Sequence, residues 1–86
     1  MEQQYRKVSV LVETAERAFR GVVHQPITPE NLRFSDYLNT YPHAFICLTD
    51  VQVTERGQHY RVGDRQEFAA IAVAAICYIA PVPEPD

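Results

Sequence analysis

Eighty-six residues, 47% of them hydrophobic, with a net charge of −3 describe one small globular domain with a modest core. That hydrophobic fraction excludes disorder as the default, and the acidic balance supplies no basic field to gather a polyanion. Two cysteines, Cys47 and Cys77, are too few for a disulfide scaffold; both sit in apolar runs and read as buried small hydrophobes in a reducing cytoplasm, although a bridge between neighbouring strands stays open.

Met1–Lys7 has no apolar stretch of the signal-peptide kind. The longest uncharged run, Phe68–Pro83, is shorter than the roughly 20 residues a spanning helix needs. A soluble, cytoplasmic chain without a membrane partner is the expectation. Residues 1–80 form the single domain, and Pro81–Asp86 is an extended Pro-rich tail.

In chain order, Val8, Val10 and Val12 alternate with Lys7, Ser9, Leu11 and Glu13, the pattern of a half-buried strand. Glu13–Glu16 is polar and short enough to turn the chain into a hairpin. Phe19, Gly21 and Val23 share the inward alternation of the return strand, and a glycine there marks a bend or a close backbone approach. Pro26 and Pro29 stop this strand. Thr28-Pro29-Glu30 resembles a helix start, with Ser35-Asp36 as a second and closer one. Leu32, Phe34, Tyr37 and Leu38 would give a short helical plug its apolar side, ended by Tyr41-Pro42.

Ala44–Thr54 is the strand around which the chain is organised. It is apolar on both alternations through Leu48 and one-sided beyond Asp50. This predicts a long strand with Phe45, Cys47 and Leu48 contacted from both sides, a bend at Thr49-Asp50, and an exposed arm paired with Gln58–Val62. The final run, Phe68–Ala80, is ambiguous: its alanines favour helix, while Ile71, Val73, Ile76 and Ile79 favour strand. Read as two strands broken near Ala72–Ala74, it closes a five-stranded barrel.

Gly21-Val22-Val23-His24 with Pro26, Arg33–Asn39, Phe45–Val51 and Phe68–Ile76 together resemble a family of small, uncharacterised bacterial proteins with an Sm-like barrel. The Ser-Asp-Tyr-Leu-Asn block at Ser35–Asn39 and the Leu-Thr-Asp-Val block at Leu48–Val51 are its most specific parts. The resemblance implies an all-β, bent antiparallel five-stranded Sm-like (SH3-type) barrel, with a short helix or turn between strands two and three. It also implies strand for the last segment and edge-to-edge assembly into rings through the fourth and fifth strands. It implies no activity. Family members carry an Asn-Lys pair where this chain has Ala72-Val73, and those side chains offer nothing to a base or phosphate.

No constellation carries chemistry of its own. His24, His43 and His59 lack metal-ligand spacing, so no metal or cofactor is expected. Nor is there a Ser-His-Asp order or a Gly-rich phosphate loop, and a non-enzyme is the reading. Asp36 reads as a cap or turn former and Asp50 as a structural acid at the bend. Tyr5, Phe34, Tyr37, Tyr41 and Tyr60 could stack on bases and Arg6, Arg33, Arg56, Arg61 and Arg65 meet phosphates, but acids are interleaved with them. Arg33, Tyr37, Tyr60 and Arg61 are the candidates for RNA contact. Phe68, Ile71, Val73, Ile76, Tyr78 and Ile79 are the candidates for a self-association interface, because so small a barrel cannot hide them all and an open apolar edge pairs with another chain. The expected protein is a homo-oligomeric structural or interaction module, with itself and an unidentified protein as partners; an RNA-binding ring is the alternative, and a small enzyme is the least favoured class.

Overall fold

The computed structural model describes residues 4–55 and 65–83. Five strands form one antiparallel sheet: β1 (Tyr5–Thr14), β2 (Arg17–Pro26), β3 (Phe45–Glu55), β4 (Arg65–Ala72) and β5 (Ile76–Pro81). A short helix, α1 (Phe34–Asn39), lies between β2 and β3, and a 3-10 turn, Val73–Ala75, joins β4 to β5. The strand order is β4-β3-β2-β1-β5. The sheet is therefore open, with β4 and β5 as its two edges, and the closed barrel expected from the sequence is not formed among the described residues.

The inward alternation of each strand builds the core. Val10 and Val12 of β1, Val23 of β2, Ile46, Leu48 and Val51 of β3 and Ile71 of β4 are buried together. Val8, Phe19, Val53, Ile76 and Ile79 pack against them. The β1–β2 turn is closed at its neck by Thr14, whose hydroxyl oxygen accepts the Arg17 N–H at 3.2 Å.

Gly21 is where β2 and β3 come closest. A Cβ built on it would lie 3.0 Å from Leu48 Cβ and 3.1 Å from the Thr49 carbonyl oxygen, so the glycine expected at a close approach serves as one. Directly opposite, Arg20 pairs with Gln52 and Val22 with Thr49, which leaves an extra residue in β3. This β-bulge contains Asp50, whose φ of 51° lies in the left-handed region. The bend expected at Thr49-Asp50 is thus present as a bulge.

Two expectations about burial are corrected. The run Phe45–Leu48 is not covered on both sides: Ile46 and Leu48 are buried, but Phe45 is 55% exposed and Cys47 is exposed. Phe45, Cys47 and Thr49 stand opposite Ala72, Ala70 and Phe68 of β4, and among the described residues no element covers that outer face. Cys77 is exposed as well, so neither cysteine is a core residue. Val51 and Gln52 of the β3 arm pair with Gln66 and Arg65 of β4; the pairing expected with Gln58–Val62 lies outside the described residues.

The helix also starts later than Thr28 suggests. Thr28 closes a turn instead, accepting the Asn31 N–H at its carbonyl (3.1 Å) and at its hydroxyl (3.2 Å). The residue at the N-cap of α1 is Arg33, with no side-chain cap, so neither Thr28 nor Ser35 has the capping role. Leu32 is exposed, while Phe34, Tyr37, Leu38 and Tyr41 pack against the core.

Candidate functional site

The segment between β2 and β3 is held by a polar residue buried in the sheet. Gln25 continues the inward alternation of Phe19, Gly21 and Val23 and is fully buried. Its Oε1 accepts a hydrogen bond from Arg6 Nη2 at 2.9 Å, and its Nε2 donates to the carbonyls of Asn31 at 2.8 Å and Arg33 at 3.3 Å. Arg6 Nη2 also donates to the Leu32 carbonyl at 2.6 Å. These bonds satisfy buried amide groups that would otherwise be costly, and they fix the chain leading into α1 against β1 and β2. Sequence reading missed Gln25; its signal is its parity with Val23, which a polar side chain obscures.

From that anchor α1 lays an aromatic series along one end of the sheet. Phe34 and Tyr37 have ring centroids 6.1 Å apart, Tyr37 and Tyr41 5.3 Å in an edge-on arrangement, and Tyr41 and His43 5.2 Å, within the range of favourable ring pairs. The Tyr41 hydroxyl donates to the Phe45 carbonyl. Burial raises the Tyr37 phenol above its ordinary pKa, with nearby Tyr41 and Cys47 adding to it. Burial raises Tyr41 as well, followed by Cys47. Leu38 and Tyr41 of this segment, Ile46 of β3, Val73 of the 3-10 turn and Ile76 and Ile79 of β5 line an apolar pocket of about 230 Å³, at the end where β4 turns into β5.

The six residues expected at an interface divide. Ile71 is 6% exposed and belongs to the core, and Ile76 and Ile79 pack against it. Phe68 (59%), Tyr78 (53%) and Val73 (40%) project from the two edges and the turn between them. Phe68 lies on edge strand β4 and Tyr78 on edge strand β5. Between Glu67 and the end of the described chain neither edge bears a charge, the usual guard against strand pairing.

Of the four RNA candidates, Arg33 and Tyr37 lie among the described residues. The Arg33 side chain is 84% exposed and makes a 3.8 Å ion pair with Asp36, while Tyr37 is packed in the aromatic series. Tyr60 and Arg61 lie outside the described residues. The 3-10 turn, Val73-Ala74-Ala75, presents no polar side chain. Among the described residues no group of His, Cys, Asp or Glu is placed to hold a metal ion, and no helix is long and apolar enough to cross a membrane. No known family model matches the chain, and no curated protein or solved structure matches it.

Proposed function

We infer that this chain is an Sm-like module, without catalytic activity of its own, that self-associates edge to edge into a closed homo-oligomer and works as a structural or interaction scaffold. The observation that carries this reading is the pair of unpaired edges, β4 and β5, at opposite ends of one sheet. Among the described residues each edge has a row of backbone donors and acceptors with no neighbouring strand, open to the opposite edge of the next copy. Such a head-to-tail contact closes into a ring when its rotation divides a full turn. The strand order and the 3-10 turn between β4 and β5 agree with the Sm-like resemblance. Exposed Phe68 and Tyr78 give the paired edges apolar side chains to bury.

The test is substitution on each edge. Phe68→Lys on β4 and Tyr78→Lys on β5 place a charge on exposed positions and leave the buried core untouched. Either one should lower the mass seen by light scattering to that of the single chain. An unchanged assembly mass in both variants would remove the edge-to-edge reading.

The alternative, an RNA-binding ring, is favoured by one observation, the exposed guanidinium of Arg33 beside the aromatic series that begins at Phe34. Binding of oligo(U) or oligo(A) that weakens with salt and with Arg33→Ala would support it; no binding at low salt would leave the scaffold alone.

A further inference from the structure

At the end of β4 beyond Phe68, the outer face of the sheet carries a row of polar side chains that runs inward from the edge to β2. Register fixes it: Arg20 of β2 stands opposite Gln52 of β3, and Gln52 stands opposite Arg65 of β4. Residues directly opposite one another on neighbouring strands share a face. The two arginines therefore flank Gln52 on one side of the sheet, two strand spacings apart, or roughly 10 Å. That separation lets two guanidinium groups lean inward over the amide between them onto one small ion.

The row lies in a groove of about 170 Å³. The bulge brings Asp50 into the same lining, and Val82 and Pro83 form its far wall. That wall is fastened down by a hydrogen bond from Val82 N–H to the Ser9 carbonyl at 2.8 Å. Two arginines against one aspartate make the groove locally cationic on a chain whose net charge is −3.

We propose that this groove binds a small phosphorylated polyol, its phosphate held between Arg20 and Arg65 and its hydroxyls read by Gln52 and Asp50. Guanidinium groups match tetrahedral oxyanions with paired, charge-assisted hydrogen bonds. Asp50 supplies the specificity. A carboxylate repels a bare anion brought close to it but accepts hydrogen bonds from hydroxyl groups, so the favoured ligand puts its phosphate at the arginine end and its hydroxyls at the Asp50 end. Val82 and Pro83 leave apolar surface for the carbon skeleton. The groove is too small for a run of nucleotides.

Calorimetric titration of the full chain at low ionic strength tests this with three probes: glycerol 3-phosphate, inorganic phosphate and glycerol. Glycerol 3-phosphate should bind at one saturable site per chain, inorganic phosphate more weakly, and glycerol not at all. Arg20→Gln and Arg65→Gln should each weaken glycerol 3-phosphate at least about tenfold, the scale of losing a hydrogen bond to a charged group, with the melting temperature unchanged. Asp50→Asn, which also tolerates a positive φ, should narrow the preference for glycerol 3-phosphate over inorganic phosphate. Absence of saturable binding, or binding unchanged in both arginine variants, would overturn the site. Inorganic phosphate binding as tightly as glycerol 3-phosphate would overturn the polyol assignment. Arg20 lies on the interior strand β2, so its variant reads the site whether or not the chain self-associates through β4 and β5.

Discussion

Leu48 and Val51 are both fully buried, although they stand three residues apart on β3, a separation that puts side chains on opposite faces of a regular strand. The bulge at Asp50 reconciles them by inserting one extra residue opposite Gly21. Asp50 meets the left-handed conformation that the bulge demands, which glycine, asparagine and aspartate tolerate and β-branched residues do not. Asp50→Val should therefore cost about 1–2 kcal/mol, whereas Asp50→Gly should leave stability equal or higher. Urea denaturation at one fixed protein concentration checks the pair, since oligomerisation would make the midpoint concentration-dependent. Equal loss in both variants would mean that the carboxylate, and not the backbone, matters at this position.

Gly21 carries the matching constraint from β2. With Leu48 Cβ and the Thr49 carbonyl 3.0 and 3.1 Å from a built Cβ, Gly21→Ala needs β2 and β3 to separate by a few tenths of an ångström. A loss of about 1–3 kcal/mol is expected, the usual scale of overpacking. A Gly21→Ala variant as stable as the parent would show that the strands yield without cost.

Gln25 is the residue whose loss should separate loop order from core stability. Gln25→Leu keeps volume but removes the bonds from Gln25 to the Asn31 and Arg33 carbonyls and from Arg6 to Gln25, leaving Arg6 its bond to the Leu32 carbonyl and Arg33 its bond from the Tyr37 N–H. A loss of about 1–3 kcal/mol is expected. Faster amide exchange should appear at Asn31 and in α1, with little change at the amides of β1 and β2. Uniform acceleration across the sheet would show that Gln25 supports the core and not the loop.

The tyrosines give a pH signature. Tyr37 and Tyr41 hold their protons to higher pH in the folded chain than their ordinary value of 10.0. The unfolded chain releases those protons first, so stability is full below the ordinary phenol range and falls as pH rises through it towards the raised folded values. Absorbance titration of phenolate should show a late component that Tyr37→Phe and Tyr41→Phe each reduce, and both variants should lose stability less steeply in alkali. A titration unchanged by either substitution would contradict the burial of these rings.

Much of the architecture was legible because it rests on alternation and on three breaks in it. Val8, Val10 and Val12 marked β1, Gly21 marked the close approach, Thr49-Asp50 marked the bend, and the break near Ala72–Ala74 became the 3-10 turn Val73–Ala75. The double alternation of Phe45–Leu48 misled because it reports apolarity and not cover. Phe45 and Cys47 are apolar side chains on a face left bare, which local sequence cannot distinguish from a face packed under another layer. Thr28-Pro29 misled for a different reason: Gln25 captures the Asn31 and Arg33 carbonyls and fixes the chain in a turn before a helix can begin there. Of the interface candidates, the alternation separated Ile71 from Phe68 only once the register on β3 was known, since both are equally hydrophobic in the sequence.

Assembly turns on the two open edges, and sedimentation equilibrium of the unmodified chain at micromolar concentration tests it most directly. An assembly mass that is a whole multiple of 9.8 kDa, falling to the chain mass with Phe68→Lys or Tyr78→Lys, is the expected result. A mass of 9.8 kDa for the unmodified chain across that range would contradict it, and β4 and β5 would then be edges that the folded protein leaves free.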